Sequence, residues 1–214
     1  MPQDSQVLKK NLIIGLRSKE ARQMNIIKVK SKDAVTTIQD FIYNEKYGCA
    51  YCVHDEKSVF TTQTNIIDKE LCTKLGYNVL ETMHTGGVVV VSEGDISVVH
   101  FGNIGNDFML RFALHLVEYY KTKGLNAYFD GNDILIDGYK ISGLSATPYG
   151  YIQYSTIHIG INTNLNDIKA ICTKQMTKVP KGLSDYSITT SEIEEMFIDF
   201  CRSADESVDK EEDT

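Results

Sequence analysis

Hydrophobic positions follow two patterns along the chain, one with a helical period and one of short apolar runs. Between residues 31 and 47, apolar residues recur at helical spacing, which predicts an amphipathic helix. Between residues 106 and 123, they recur at a spacing of about four, which predicts the longest helix, and Gly124 ends it. Because an aromatic stripe of this kind is normally core packing, we assign it no ligand.

Capping residues predict three further helices. Asp68 begins a short helix, and Asn164 caps a helix over residues 165–173. Ser191 caps the last helix, with Glu194 at the position that completes a capping box.

Short runs rich in β-branched and aromatic residues predict the strands. These strands cover residues 26–30, 48–54, 58–62, 78–81, 87–91, 95–101, 125–129, 134–136, 151–154 and 156–162. We interpret residues 48–62 as a hairpin, and residues 87–91 as a central buried strand because they are apolar on both faces. The predicted fold class is α+β, with a mixed, mostly antiparallel central sheet flanked by helices.

Composition divides the chain into three parts. Residues 1–24 are polar and mixed, which predicts an N-terminal arm. Residues 25–203 carry the periodic elements and predict one catalytic or binding domain. Residues 204–214 are acidic and poor in apolar side chains, which predicts a disordered tail.

Charge and cysteine content narrow the classes of partner. The net charge is −7 and the pI is about 5.2, which argues against binding nucleic acid or an anionic membrane. The five cysteines are scattered and odd in number, which indicates a reducing compartment, and the first residues do not begin a signal peptide. We therefore expect a cytoplasmic protein without a membrane span.

A C-x-x-C motif lies at Cys49 and Cys52, within a predicted strand. Residues three apart on a strand point to opposite faces, and no second pair of ligands completes a zinc site. We interpret both cysteines as structural.

Residues 131–143 carry the most informative local pattern. Asp137 and Gly138 predict a tight turn that brings Lys140 opposite Asn132 and Asp133. A lysine facing an Asn-Asp pair suits an anionic ligand associated with a metal, such as a nucleotide phosphate. The alternative is a surface hairpin whose lysine is only solvated.

Several motifs, taken in order, resemble the catalytic fold of the lipoate-protein ligases, which biotin ligases and octanoyltransferases share. The most specific is Gly131-Asn132-Asp133 followed by Gly138-Tyr139-Lys140-Ile141-Ser142-Gly143 and Ala146. Three weaker matches are Ile161-Asn162-Thr163-Asn164-Leu165, Phe60-Thr61-Thr62-Gln63-Thr64-Asn65 and Thr85-Gly86-Gly87. The resemblance covers residues 34–200.

The resemblance implies an activity and a site. ATP, with Mg²⁺, would convert a lipoate-like acid into an acyl-adenylate, and a lysine of a lipoyl-type acceptor protein would then take the acyl group. Lys140 would be the catalytic residue, Asn132, Asp133 and Lys140 would bind the nucleotide, and Asp133 would hold the metal. The residues implied to bind the acid are His84, Thr85, Gly86, Gly87, Ser142, Gly143 and His158.

The chain also departs from the family pattern. The arginines expected before the glycine loop are replaced by Thr82, Met83 and His84, and the third loop glycine is Val88. The alternative is therefore a degenerate ligase fold that binds a nucleotide, a small acid or a protein. Because residues 142–162 contain no cysteine, an acyl-cysteine of the octanoyltransferase type is not expected.

Overall fold

The computed structural model describes residues 25–44, 47–82, 87–173 and 175–211, apart from the side chains of Ile42 and of residues after 203. The predicted N-terminal arm, residues 1–24, and most of the predicted glycine loop, residues 83–86, lie outside the described residues.

Ten strands are described. They are β1 (Ile26–Val29), β2 (Gly48–Val53), β3 (Ser58–Thr61), β4 (Asn78–Glu81), β5 (Val88–Val91), β6 (Ile96–Asn103), β7 (Ala127–Asp130), β8 (Asp133–Ile136), β9 (Tyr139–Tyr149) and β10 (Ile152–Ile159). The α-helices are α1 (Ala34–Tyr43), α2 (Lys69–Lys74), α3 (Phe108–Thr122), α4 (Leu165–Ile171) and α5 (Thr190–Glu211). Single 3-10 turns lie at Ser31–Asp33, Thr64–Ile66 and Leu183–Tyr186.

The strands form two sheets. The large sheet has seven strands in the order β1-β2-β6-β10-β9-β8-β7, and the small sheet has three in the order β4-β3-β5. Each sheet has one parallel pair, β1 with β2 and β3 with β4, and the other pairs are antiparallel. This confirms the α+β prediction of a mixed, mostly antiparallel sheet flanked by helices.

The large sheet separates two apolar layers because its side chains alternate between faces. On one face, Val98 and Ile157 are buried with residues of α3 and α5, including Phe112 and Phe197. On the other face, Val99 and its neighbours pack against Phe41 of α1. The small sheet covers a third buried cluster with Cys72 of α2 and Ile171 of α4.

The predicted hairpin at residues 48–62 is wrong, because β2 and β3 belong to different sheets. After β2 the chain pairs instead with the connection before β6: His54 N–H donates to the Asp95 carbonyl, and Gly94 N–H donates to the His54 carbonyl. Hairpin signals in a sequence cannot distinguish a turn within one sheet from a crossover between two.

Strand β5 corrects a second prediction. It is an edge strand of the small sheet rather than a central strand, and most of its valines are half-buried. Val90 packs against the buried cluster of the small sheet, whereas Val89 faces a cavity between the sheets. Both faces therefore contact other parts of the protein, which is why both are apolar.

The final helix starts and ends differently from the prediction. Its capping box is formed by Thr189 and Glu192: Glu192 accepts the Thr189 N–H at 2.8 Å, and Thr189 Oγ1 accepts the Glu192 N–H at 3.3 Å. Ser191 is thus not the cap, whereas Asn164 is confirmed as the cap of α4. The helix continues to Glu211, into the segment predicted to be disordered. Extending a packed helix adds one hydrogen bond per residue without a new nucleation step.

Within the described part of the chain, no helix has the length and apolar composition needed to cross a membrane.

Candidate active site

A cavity of about 260 Å³ lies between the large sheet, α1 and the small sheet. One row of paired residues crosses its floor. Cys52 pairs with Ser97, Ser97 with His158, His158 with Gly143 and Gly143 with Asp133, on five adjacent strands. Directly paired residues share a face of the sheet, so this row presents polar chemistry to one end of the cavity.

The next rows of the floor are less polar. Ala50, Val99 and Thr156 are paired across β2, β6 and β10, and Tyr154 pairs with Phe101 one row further on. The opposite wall is apolar, formed by Val35 and Ile38 of α1 with Phe60, Val88 and Val89 of the small sheet. The cavity therefore changes from polar and ionisable groups at the first row to mainly apolar groups beyond it, where Thr156 and Ser145 are neutral and bonded to each other.

Lys140 and Asp133 meet at the polar end, as the hairpin predicted. Lys140 Nζ lies 2.8 Å from Asp133 Oδ1, and the lysine side chain remains 40% exposed. The register between β8 and β9 shifts just after Lys140, at Ile141, and such a bulge re-aims the side chains beside it. A Cβ on Gly143 would lie 3.1 Å from Lys140 Nζ and 3.3 Å from Asp133 Oδ1. The glycine thus leaves room for the ion pair above the strand.

A second lysine, which the sequence did not indicate, completes this cluster. Lys178 Nζ lies 2.9 Å from Asp133 Oδ2 and 2.9 Å from Asp130 Oδ2. Its segment is held by the backbone of β9, because Lys140 N–H donates to the Val179 carbonyl and Lys181 N–H donates to the Lys140 carbonyl. Lys178 lies in an irregular segment without a periodic or motif signal, so only the fold places it here.

Burial would raise the pKa of Asp133, but hydrogen bonds from Lys140 and Lys178 outweigh it and hold that pKa below its usual range. Hydrogen bonds to Asp130 and Asp133 in turn raise the pKa of Lys178. Asp133 and Lys178 are therefore both ionised at neutral pH, and each oxygen of Asp133 faces a lysine nitrogen.

The resemblance also implied Mg²⁺ at Asp133. Both oxygens of this carboxylate already accept from lysines. Among the described residues, no group of three or more His, Cys, Asp or Glu is arranged to hold a metal ion. The donor set therefore does not fit a resident Mg²⁺ ion.

A series of contacting polar side chains, here called the polar chain, crosses the cavity floor on the side away from Asp133. Ser31 Oγ lies 3.3 Å from His54 Nδ1, and His54 Nε2 lies 2.9 Å from Ser97 Oγ. Ser97 Oγ lies 3.2 Å from His158 Nδ1, and His158 Nε2 lies 3.6 Å from Asp95 Oδ2. Burial lowers the pKa of both His54 and His158 to about 4, so both rings are neutral at pH 7.

Only some of the other residues implied by the resemblance line the cavity. Gly87, Gly143 and His158 line the cavity. Ser142 does not: it is buried, and its hydroxyl donates to the His158 carbonyl at 2.7 Å. Asn132 is exposed at the hairpin, and its carbonyl accepts the Leu144 N–H. The remaining three, His84, Thr85 and Gly86, lie outside the described residues.

Fold and site together define a mixed-sheet domain with a cavity that has an apolar wall and Lys140 at its polar end. Residues 59–199 match the family model described as "Lipoyl protein ligase A/B catalytic domain". The chain belongs to this family.

One curated relative and several solved structures are similar. The Dictyostelium discoideum protein described as "Probable polyketide synthase 28" is 27% identical over 146 residues, which are 67% of this chain and 5% of that protein. This chain thus spans only about a twentieth of that relative.

The solved structures share the fold at low identity. A lipoate protein ligase from T. acidophilum with bound lipoic acid is 16% identical, with a TM-score of 0.68 over 84% of each chain. Lipoate-protein ligase A bound with ATP is 15% identical, with a TM-score of 0.68 over 84% of each chain. A bipartite ligase studied with its E2 lipoyl domain, from Thermoplasma acidophilum, is 18% identical, with a TM-score of 0.66 over 83% of this chain and 82% of that one.

Proposed function

We propose that the protein binds a lipoate-like carboxylic acid in the cavity, activates it with ATP as an acyl-adenylate, and transfers the acyl group to a lysine of an acceptor protein. The observation that carries this proposal is the gradient of the cavity. An apolar acyl chain can lie between Val99 and Val89, and its carboxylate then reaches the polar row beside Lys140.

The lysine cluster suits the adenylation step. When the carboxylate attacks the α-phosphorus of ATP, negative charge increases on oxygens at the polar end of the cavity. Lys140 is half-exposed and held by Asp133, so its ammonium group can turn from that carboxylate to the substrate oxygens. Lys178 sits on the second oxygen of Asp133 and supplies a further positive charge for the phosphates.

The similar structures support the choice of substrates. One holds lipoic acid, one holds ATP and one was studied with a lipoyl domain. By analogy, the acceptor of this protein is a lysine on a lipoyl-type domain, which attacks the acyl-adenylate and releases AMP.

Pyrophosphate release from ATP in the presence of lipoate or octanoate tests the proposal. The wild-type protein is expected to release pyrophosphate only when the acid is present, and Lys140→Ala is expected to lose that release. Lys121→Ala is the matched control, because Lys121 is an exposed lysine of α3 paired with Glu118. No acid-dependent release from the wild-type protein would overturn the ligase proposal.

One observation favours the alternative function, a ligase fold that binds its ligand without catalysing a reaction. Both arginines of the described residues, Arg111 and Arg202, lie on helices in surface ion pairs, and neither lines the cavity. The lysines therefore supply the positive charge without the bidentate contacts of a guanidinium group. Calorimetric binding of lipoate or ATP without pyrophosphate release would support this binding function.

A further inference from the structure

We propose that Ser97 is a nucleophile that accepts an acyl group from a thioester donor, with His158 as its base and Asp95 as the group that orients His158. This activity needs no ATP and goes beyond the proposed ligase function. It rests on the polar chain that crosses the cavity floor.

The three side chains are in the order that an activated serine requires. Ser97 and His158 are a directly paired couple on β6 and β10, with Ser97 Oγ 3.2 Å from His158 Nδ1. The other ring nitrogen of His158 faces Asp95 Oδ2 at 3.6 Å. A nucleophile within reach of a base, with the base held by a third group, is the arrangement of acyl-transfer enzymes with unrelated folds.

When His158 carries its proton on Nε2, towards Asp95, the donors of the polar chain follow in one order. The Ser31 hydroxyl donates to His54 Nδ1, and His54 Nε2–H donates to Ser97 Oγ. The Ser97 hydroxyl then donates to His158 Nδ1, and His158 Nε2–H points to Asp95. Because His54 already donates to Ser97 Oγ, the Ser97 proton is directed towards its base.

Three backbone N–H groups fix the position of the Asp95 carboxylate. Its Oδ1 accepts the N–H groups of Ile161 and Asn162 at 2.6 and 2.9 Å, and its Oδ2 accepts the Ser92 N–H at 2.8 Å. Burial raises the pKa of Asp95, while these three donors act in the opposite direction because they favour the ionised form. The side chain is 1% exposed, so this carboxylate acts on His158 and not on solvent.

Ser97 and His158 are open to the cavity, whereas the groups behind them are closed. Both side chains line the cavity and are only partly buried. His54 and Asp95 are 2% and 1% exposed. An acyl chain lying on the next row, along Val99, would place its carbonyl carbon beside Ser97.

The covalent step balances without a redox partner. Ser97 Oγ attacks the carbonyl carbon of the thioester, and its proton passes to His158. The carbon–sulfur bond then breaks, and the thiol leaves with the proton from His158. The products are an ester on Ser97 and a free thiol. Attack by a lysine amine or by water then cleaves the ester and restores the Ser97 hydroxyl.

Cys52 is the competing nucleophile in the same row, but its environment is unfavourable. Its side chain is 2% exposed, and its nearest histidine contact is 3.7 Å, from Sγ to His54 Nδ1. Burial raises the pKa of the Cys52 thiol to about 11, so the reactive thiolate is absent at neutral pH.

The test is to incubate the full chain with octanoyl-coenzyme A in the absence of ATP and to follow intact mass and thiol release. One octanoyl group is expected per chain, located on Ser97 by peptide mapping. Ser97→Ala is expected to abolish it, and His158→Gln is expected to slow it at least about 100-fold, the usual contribution of a general base. A fluorophosphonate probe that labels Ser97 would give a second readout that does not depend on acyl-chain fit.

Ser155→Ala is the matched control, because Ser155 lies on β10 but on the face opposite His158. It is expected to be acylated like the wild type. Acylation on Cys52, or no acylation of the wild-type protein, would overturn the assignment. Pyrophosphate release without acylation would leave the ligase proposal standing, and acylation without pyrophosphate release would do the reverse.

Discussion

The two halves of the cavity floor are assembled in different ways. The lysine half places Lys140 opposite Asp133 through one hairpin, seven residues apart in sequence. The histidine half joins Ser97 of β6 and His158 of β10 to His54, which follows β2, and to Asp95, which precedes β6. A motif close in sequence is thus readable from the sequence, whereas a site assembled across strands depends on knowing which strands pair.

The largest expected difference between the two halves follows from removing Lys140, the lysine at the polar end of the cavity. Lys140→Ala is expected to lower acid-dependent pyrophosphate release by about 100- to 1,000-fold, the usual loss for one group that stabilises charge in the transition state. The reason is that Lys140 lines the cavity beside Gly143, whereas Lys178 is held between Asp130 and Asp133. Initial rates at saturating ATP measure it. A loss below about threefold would contradict the role of Lys140.

The halves are also expected to lose stability in different ranges of pH. In the histidine half, the folded pKa of His54 is about 4 and its ordinary value is 6.5, so the unfolded chain binds more protons between these values. Its stabilisation is complete above pH 6.5 and falls as pH drops towards 4. The stabilisation that comes from the lowered pKa of Asp133 is lost only below pH 3.8, the ordinary value for this group.

His54→Gln is therefore expected to reduce the slope of unfolding free energy against pH by about 1.4 kcal/mol per unit between these values. Urea titrations at several pH values measure this slope. His115→Gln, on the exposed side of α3, is the matched control. An unchanged slope in His54→Gln would show that His54 is not buried as a neutral ring.

Lys178 tests whether the lysine half needs two cations. Lys178→Ala leaves the Lys140–Asp133 contact in place and removes one positive charge near the phosphates. We expect about a tenfold loss in kcat/KM for ATP, equivalent to roughly 1.4 kcal/mol. The KM for the acid is expected to change little. A change confined to the acid would place the phosphates elsewhere.

A capping variant provides a measure of stability that is independent of both halves. Thr189→Ala removes the hydroxyl that accepts the Glu192 N–H at the start of α5, and caps of this kind contribute about 1 kcal/mol. Thermal unfolding is expected to show this loss while pyrophosphate release at 25 °C stays unchanged. A loss of release would indicate that α5 controls the cavity from the opposite face of the sheet.

The sequence allowed prediction of the helices, most strands and the turn at Asp137 and Gly138, because these depend on local periods and turn chemistry. It did not allow the division into two sheets, since β2 and β3 are neighbours in sequence but pair with different partners. Lys178 was missed for the same reason: it lies 45 residues after Asp133 and carries no motif.

The histidine half was missed because single residues on separate strands have no spacing to detect. His158 entered only as an acid-binding residue implied by the family resemblance, and Ser97 was not singled out. The register explains both, because Ser97 and His158 face each other only when β6 and β10 pair as they do. Ser142 shows the opposite case. The resemblance implied that it binds the acid, but its hydroxyl donates to the His158 carbonyl and does not face the cavity.

The proposed function depends above all on the direction in which the acid lies in the cavity. A crystal structure of the full chain with bound lipoate or octanoate tests it most directly. We predict the carboxylate within hydrogen-bond distance of Lys140 Nζ and the acyl chain along Val99 towards Tyr154. A carboxylate at the Tyr154 end, or an acid bound outside the cavity, would contradict the proposed function.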